Sequence, residues 1–259
     1  MATFALAWGV AHHQGPRPTD EDAWCVLPAL GGRPGTLFAG VFDGHGGAEA
    51  ARLAADLLPR LFLEALAAQP PGAPEAVPHA FVHAYTTASE RICSQTASGT
   101  TAATLWVTPH GVWHAHVGDS RIVRVAGGQV HRLTRDHRVR DPQEFARLQA
   151  LGAQFWGPYV VLPDGRGLAV ARALGDPAFA RFVIPTPEVG FLPPPHQETT
   201  LVVACDGLWD VVSDAEAGAL AAGHADAHQA AHHLVEEALT RNTTDNVTVL
   251  VVRITPRSQ

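Results

Sequence analysis

The chain has 259 residues and a formal net charge of −7, with 46% hydrophobic and 17% charged residues. That length and composition support a sizeable core in one large domain or two small ones. The acidic balance, spread along the chain, argues against a nucleic-acid backbone as partner and suits a holder of divalent cations. No apolar run approaches the ~20 residues that a membrane-spanning helix needs.

In chain order, the opening MATFALAWGV has no charged leader or cleavage-like site, and residues 3–12 read as a strand rather than a signal peptide. Residues 22–28 read as a second strand. Residues 36–42 (TLFAGVF) form an apolar strand that stops at the Gly-rich turn Asp43-Gly44-His45-Gly46-Gly47. Leu and Ala at helical spacing predict a helix over 47–68, kinked at Pro59, and a second helix follows QPPGAP at about 75–95. The period then changes. Short β-rich runs between 99 and 133, separated by PHG, GDS and AGG, predict an antiparallel meander. A short helix is expected at 141–151, and the Gly/Pro-rich stretch 152–168 reads as a surface loop or flap. A strand at 199–205, helices at 213–222 and 226–240, and a last strand at 246–254 complete the reading. Hairpins outnumber βαβ units, so the class is α+β, with a pair of sheets buried between helix layers.

Cys25, Cys93 and Cys205 are odd in number, far apart and without C-x-x-C spacing, which reads as reduced, mostly buried thiols of a cytoplasmic protein. All 18 basic residues are arginine, and Ala, Pro and Gly are abundant, a composition typical of GC-rich bacterial genomes.

Carboxylates stand where strands end. Asp43 follows FAGVF, Asp206 follows LVVAC, Asp245 precedes NVTVLVV, and Glu21-Asp22 precede AWCVL. A buried strand has no intrinsic use for an acid at its rim. Acids converging there repel one another unless cations neutralise them. An all-oxygen set suits Mg²⁺ or Mn²⁺ rather than zinc. The competing reading is that each acid caps its own turn, and spacing alone leaves convergence open.

RPTDEDAW (17–24), FAGVFDGHGG (38–47), SGTTAATL (98–105), HVGDSRIVRV (116–125), LTRDH (133–137), LAVARALGD (168–176), VVACDGLWDVVS (202–213) and TDNVTVLVV (244–252) occur in this order. Together they resemble the signature motifs of the metal-dependent protein phosphatase family, the protein phosphatase 2C type, over residues 5 to 253. The resemblance implies one catalytic domain over residues 1–259. Its expected fold is α+β: a central β-sandwich of two antiparallel sheets flanked by helices on both sides, with a flap at about 138–170.

The roles follow from the resemblance, position by position. Asp43 would bridge two Mn²⁺ or Mg²⁺ ions, Gly44 would offer its carbonyl, and Asp206 and Asp245 would ligate the second ion. Glu21 and Asp22 would hold ion-bound waters. Arg17, four residues before Glu21, fixes that register in Asp20-Glu21-Asp22 and is the candidate phosphate clamp, its planar fork matching a phosphate bidentately. His45 is the candidate general acid for the serine or threonine leaving group, or a histidine that orders an ion-bound water. Asp119 either shares a weaker third ion with Asp206 or is a turn residue between meander strands. Two ions roughly 3.5–4 Å apart would turn a shared water into hydroxide for in-line attack on phosphorus. Arg172 and Asp176 are expected to brace the flap and core, and Thr100 and Thr101 to be structural. Ala171 replaces the family's usual serine, and Gly152-Ala153 its double glycine.

The expected partners are phosphorylated proteins, targets of a serine/threonine kinase, with no nucleic acid and no membrane, and the expected state is a monomer. A P-loop is excluded because the chain has no lysine. No G-x-S-x-G elbow or H-E-x-x-H motif occurs, and Cys205 opens no C-x5-R loop. The pairs His114/His116 and His228/His232 have no framing acids or cysteines and read as surface or core histidines. A partner-binding scaffold that has lost catalysis, and a phosphatase for small phosphorylated molecules, are the alternatives.

Overall fold

The computed structural model describes residues 4–70 and 73–257. Its first half contains β1 (Phe4–His13), β2 (Ala23–Pro28), β3 (Leu37–Phe42), β4 (Gly44–His45), α1 (Glu49–Ala67), α2 (Ala76–Cys93), β5 (Gly99–Thr100), β6 (Ala102–Thr108), β7 (Gly111–Val117), β8 (Arg121–Ala126) and β9 (Gln129–Arg132). Then follow α3 (Pro142–Ala150), β10 (Gln154–Trp156), β11 (Tyr159–Val161), β12 (Gly167–Leu168), β13 (Leu174–Gly175), β14 (Glu188–Leu192), β15 (Thr199–Ala204), α4 (Asp206–Trp209), α5 (Asp214–Ala222), α6 (Ala227–Thr240) and β16 (Val247–Pro256). No described helix is long and apolar enough to cross a membrane.

Two five-stranded antiparallel sheets carry the fold, in the orders β1-β16-β15-β8-β9 and β14-β7-β6-β3-β2. Side chains alternate along each strand, so every central strand serves two cores. From β3, Leu37, Ala39 and Val41 enter the space between the sheets, where they join Leu201 and Val203 of β15 and Leu250 and Val252 of β16. The alternate residues Phe38 and Phe42 pack outward against Phe62 of α1 and Phe81 and Tyr85 of α2. Val202, Val249 and Val251 do the same on the far side, against Leu234 and Val235 of α6. Burial of both faces is why these strands read as unbroken apolar runs. The expected helix–sheet–sheet–helix layering is the one observed.

Two expectations change. The run 99–133 is not one meander: β6 and β7 belong to one sheet, while β8 and β9 belong to the other. Gly118-Asp119-Ser120 therefore carries the chain between sheets, and Asp119 is not a hairpin-turn residue. Turn chemistry is the same whether the next strand pairs at once or crosses over, so sequence could not distinguish them. Second, the stretch expected as a loop at 152–168 holds a small sheet, β10-β11-β12. Its strands of two or three residues are too short to show a period. They pack with Val139, Leu148 and Val170 over a separate small core, and a backbone bridge between Arg138 and Val170 closes the base of the flap. As expected, α1 is one helix that runs on through the buried Pro59.

Candidate metal centre

Strand register gathers the acids. Ala23 of β2 pairs with Phe42 of β3, which sets Asp22 beside Asp43. Ala204 of β15 pairs with Val249 of β16, so the end that leads to Asp206 lies beside the end that begins after Asp245. Arg17, Glu21, Asp43, Gly44, His45, Asp119, Asp206 and Asp245 line one cleft of about 350 Å³. Asp22 lies against Asp43 and Cys205, with potential ligand atoms of the three within 4.8 Å of one another. Convergence, left open by spacing, is thus a property of the fold.

Each acid has an identifiable support. The N–H of Asp43 donates to Thr101 Oγ1 (3.1 Å), and its carbonyl accepts from Thr100 Oγ1 (3.0 Å) and the Thr101 N–H (2.9 Å). Thr100 and Thr101 are therefore structural, as expected, but what they hold is the site. At Gly44 a Cβ would collide with the carbonyl oxygen of Glu21, so only glycine lets the two backbones touch here. Glu21 Oε2 accepts from the Gly47 N–H (3.1 Å), and Asp22 Oδ2 accepts from Thr248 Oγ1 (2.6 Å). Asn246 ties the β1–β2 connection to the start of β16: its Nδ2 donates to the Gln14 (2.7 Å) and Thr19 (3.0 Å) carbonyls, and its Oδ1 accepts from the Glu21 N–H (3.0 Å). Arg17 NH2 donates to Asp245 Oδ2 (2.6 Å) and its Nε to the Thr244 carbonyl (3.1 Å).

Burial and mutual repulsion dominate the electrostatics. Burial, then Asp206, Asp22, Asp119 and Asp245, hold the Asp43 carboxyl well above the usual carboxylate range. Burial lifts Asp22 to about 6, opposed by its hydrogen bonds to Thr248 and Cys205. Burial followed by Asp119, Asp210 and Asp245 lifts Asp206 to about 8, with Arg138 opposing. Arg17 and Arg138 balance only part of this negative charge, and divalent cations would supply the rest. Cys205 is the one sulfur nearby. Burial and the neighbouring acids push its thiol far up, and its Sγ donates to the Asn246 carbonyl at 3.4 Å. It stays a neutral thiol there, so the charged donors are carboxylates, a set that fits Mg²⁺ or Mn²⁺.

Two contacts were not anticipated. His45 Nε2 lies 2.8 Å from Asp176 Oδ2. Asp176 is buried and holds a left-handed backbone at φ 54°, an uncommon conformation for a non-glycine residue. Its expected bracing role thus extends to a site histidine. Arg138 Nε donates to Asp119 Oδ2 (2.9 Å), and its NH2 donates to Asp210 Oδ1 (2.8 Å) and stands 3.6 Å from Asp206 Oδ2. Neither was legible, because each joins segments whose proximity only packing creates. The LGD motif was the one available signal for Asp176. Arg172 does brace the flap, with its Nε on Glu144 Oε1 of α3 at 2.8 Å. The other histidines lie outside the cleft: His114 and His116 are buried in β7, but His116, contrary to the expectation that no acid frames it, shares with His137 and Glu188 potential ligand atoms within 4.8 Å of one another, and the His228 and His232 rings meet edge to face on α6, 4.6 Å apart.

The chain matches the sequence model of the family Protein phosphatase 2C over residues 7–247. It is 35% identical over 268 residues to "Probable protein phosphatase 1N" of Mus musculus, covering 97% of this chain and 65% of that protein. It is also 35% identical over 266 residues to "Probable protein phosphatase 2C 59" of Oryza sativa subsp. japonica, covering 97% and 77%. The chain therefore spans just under two thirds of the mouse relative's length. Its structure resembles that of "serine-threonine phosphatase 2C from Toxoplasma gondii", with a TM-score of 0.82, 25% identity, and coverage of 97% of this chain and 95% of that one. With nearly the whole chain matched and the acids assembled at one rim, this protein belongs to the protein phosphatase 2C family of metal-dependent protein phosphatases.

Proposed function

We propose that this chain hydrolyses phosphoserine and phosphothreonine esters of protein substrates, as a single catalytic domain whose flap, residues 138–170, stands over the cleft. The observation that carries the reading is the convergence of Asp22, Asp43, Asp206 and Asp245 at one half-buried rim, where burial and mutual repulsion oppose the ionised forms of the first three. Asp43, the Gly44 carbonyl, Asp206 and Asp245 would hold two Mn²⁺ or Mg²⁺ ions, with Glu21 and Asp22 facing their waters of hydration. When bound, such ions activate water at neutral pH and offset charge on the phosphoryl oxygens.

The chain's own side chains supply the rest. Arg17 is half exposed on the cleft wall and anchored by Asp245 and the Thr244 carbonyl, and its remaining donors would meet a phosphate dianion in the cleft. The alkoxide of serine or threonine leaves poorly unless protonated. His45 supplies that proton in this reading, worth about 10²–10⁴-fold. With Nε2 engaged by Asp176, Nδ1 is the nitrogen left to donate. Tyr159 of the flap forms part of the opposite wall.

The test is hydrolysis of a phosphothreonine peptide by chelated protein before and after addition of Mn²⁺ or Mg²⁺. Restored turnover is expected. Turnover that survives EDTA undiminished, or none with either ion, would remove this function. Metal-restored protein without activity on peptides but active on small phosphorylated metabolites would move the reading to that substrate class.

A further inference from the structure

One of the two readings that the family resemblance left for Asp119 was a third, weaker divalent ion shared with Asp206, and a chain side chain reaches into that position. Arg138 follows the DH dipeptide at the foot of the flap. Its backbone is pinned from both sides: the His137 N–H donates to the Gly118 carbonyl (2.9 Å), and the Val139 N–H to the Ala169 carbonyl (2.8 Å). The guanidinium then faces three carboxylates from two separate elements. Its Nε meets Asp119 Oδ2 at 2.9 Å, and its NH2 meets Asp210 Oδ1 at 2.8 Å and Asp206 Oδ2 at 3.6 Å. Among the described ion pairs, Arg138 is the one cation partner of Asp119, of Asp206 and of Asp210. Asp119 is almost wholly buried, so its charge requires a partner inside the protein.

We infer that Arg138 is the resident cation of the Asp119–Asp206–Asp210 group, closing the third divalent position and leaving a centre for two ions. The inference rests on the two-ion reading above. A guanidinium is planar, keeps its charge at any working pH and donates along fixed directions, so its hold on Asp119 and Asp210 does not lapse near neutrality. A third ion would have to displace two charge-assisted hydrogen bonds whose donor is fixed by the backbone at the base of the flap. The same side chain ties the flap to the carboxylate rim, so the arrangement that closes the third position also sets where the flap starts.

The experiment counts Mn²⁺ bound per full-length chain, by equilibrium dialysis and by the loss of free-Mn²⁺ electron paramagnetic resonance signal, up to millimolar Mn²⁺. Wild type is expected to take two ions. R138Q and R138M, two neutral replacements, should each take a third, weaker ion, and D119N in the R138Q background should return the count to two. R138K keeps a positive charge and should stay at two. Melting temperatures recorded on the same samples identify any variant that is not folded, and the second neutral replacement then serves in its place. A wild-type count of three, or a count of two in every folded neutral variant, overturns the inference. A wild-type count below two overturns the two-ion reading beneath it.

Discussion

Asp176→Asn tests the proposed acid catalyst through a residue that does not line the cleft. The carboxylate lies 2.8 Å from His45 Nε2 and is 5% exposed. Asparagine keeps its shape and removes its charge. Hydrogen bonds to charged groups contribute about 1.5–3 kcal/mol. If that interaction strengthens as His45 is held protonated for the leaving group, its loss lowers kcat by roughly 10- to 100-fold. The assay compares a phosphoserine peptide with an aryl phosphate, whose phenolate leaves without protonation. The expected result is a drop in kcat on the peptide with little change on the aryl ester in Asp176→Asn. His45→Gln should show the same split between substrates and a larger loss. Equal losses on both substrates would refute the acid role. A loss in His45→Gln with none in Asp176→Asn would refute the positioning role.

Asp43→Asn should reduce turnover to below about one-thousandth. The same change removes a carboxylate whose ionised form burial and four neighbouring acids oppose, so the melting temperature in EDTA should rise, and a fall would contradict the electrostatic account. Arg17→Ala should raise KM for a phosphopeptide by about tenfold with kcat nearly kept, the signature of lost binding shared by ground and transition states; unchanged constants would take Arg17 out of the site. Metal-free protein should also lose stability as pH rises. The folded-state values of Asp22 (about 6) and Asp206 (about 8) lie above the ordinary 3.8, so the folded form keeps protons that the unfolded chain has released, and that advantage disappears as pH passes through the folded values. Between pH 7 and 9, above the window where the buried, neutral His114 and His137 add their own dependence, the melting temperature in EDTA should fall by about 2–5 °C. Saturating Mn²⁺ should abolish the fall, and a rise with pH in EDTA would refute the sign.

Much of the architecture was legible because it rests on local patterns. TLFAGVF, TTLVVAC and NVTVLVV are apolar on both faces, which only strands buried between two layers can be, and α1 and α2 carry their apolar positions at helical spacing. The acids at the ends of those runs were equally visible, because an ionisable group beside a buried strand conflicts with its surroundings unless function compensates. That is as far as one-dimensional information reaches. The strands at 154–168 are too short to show a period, and a turn such as Gly118-Asp119-Ser120 has the same composition whether it closes a hairpin or crosses between sheets. His45 meets Asp176 across 131 positions of sequence, and Arg138 meets Asp210 across 72. Sequence by itself determined which residues are apolar, which are charged and where the backbone turns, and hence the layers and the candidate acids. Tertiary structure alone decided which charges face one another, because partnership depends on distances of a few ångströms set by register and packing, and no local pattern encodes them.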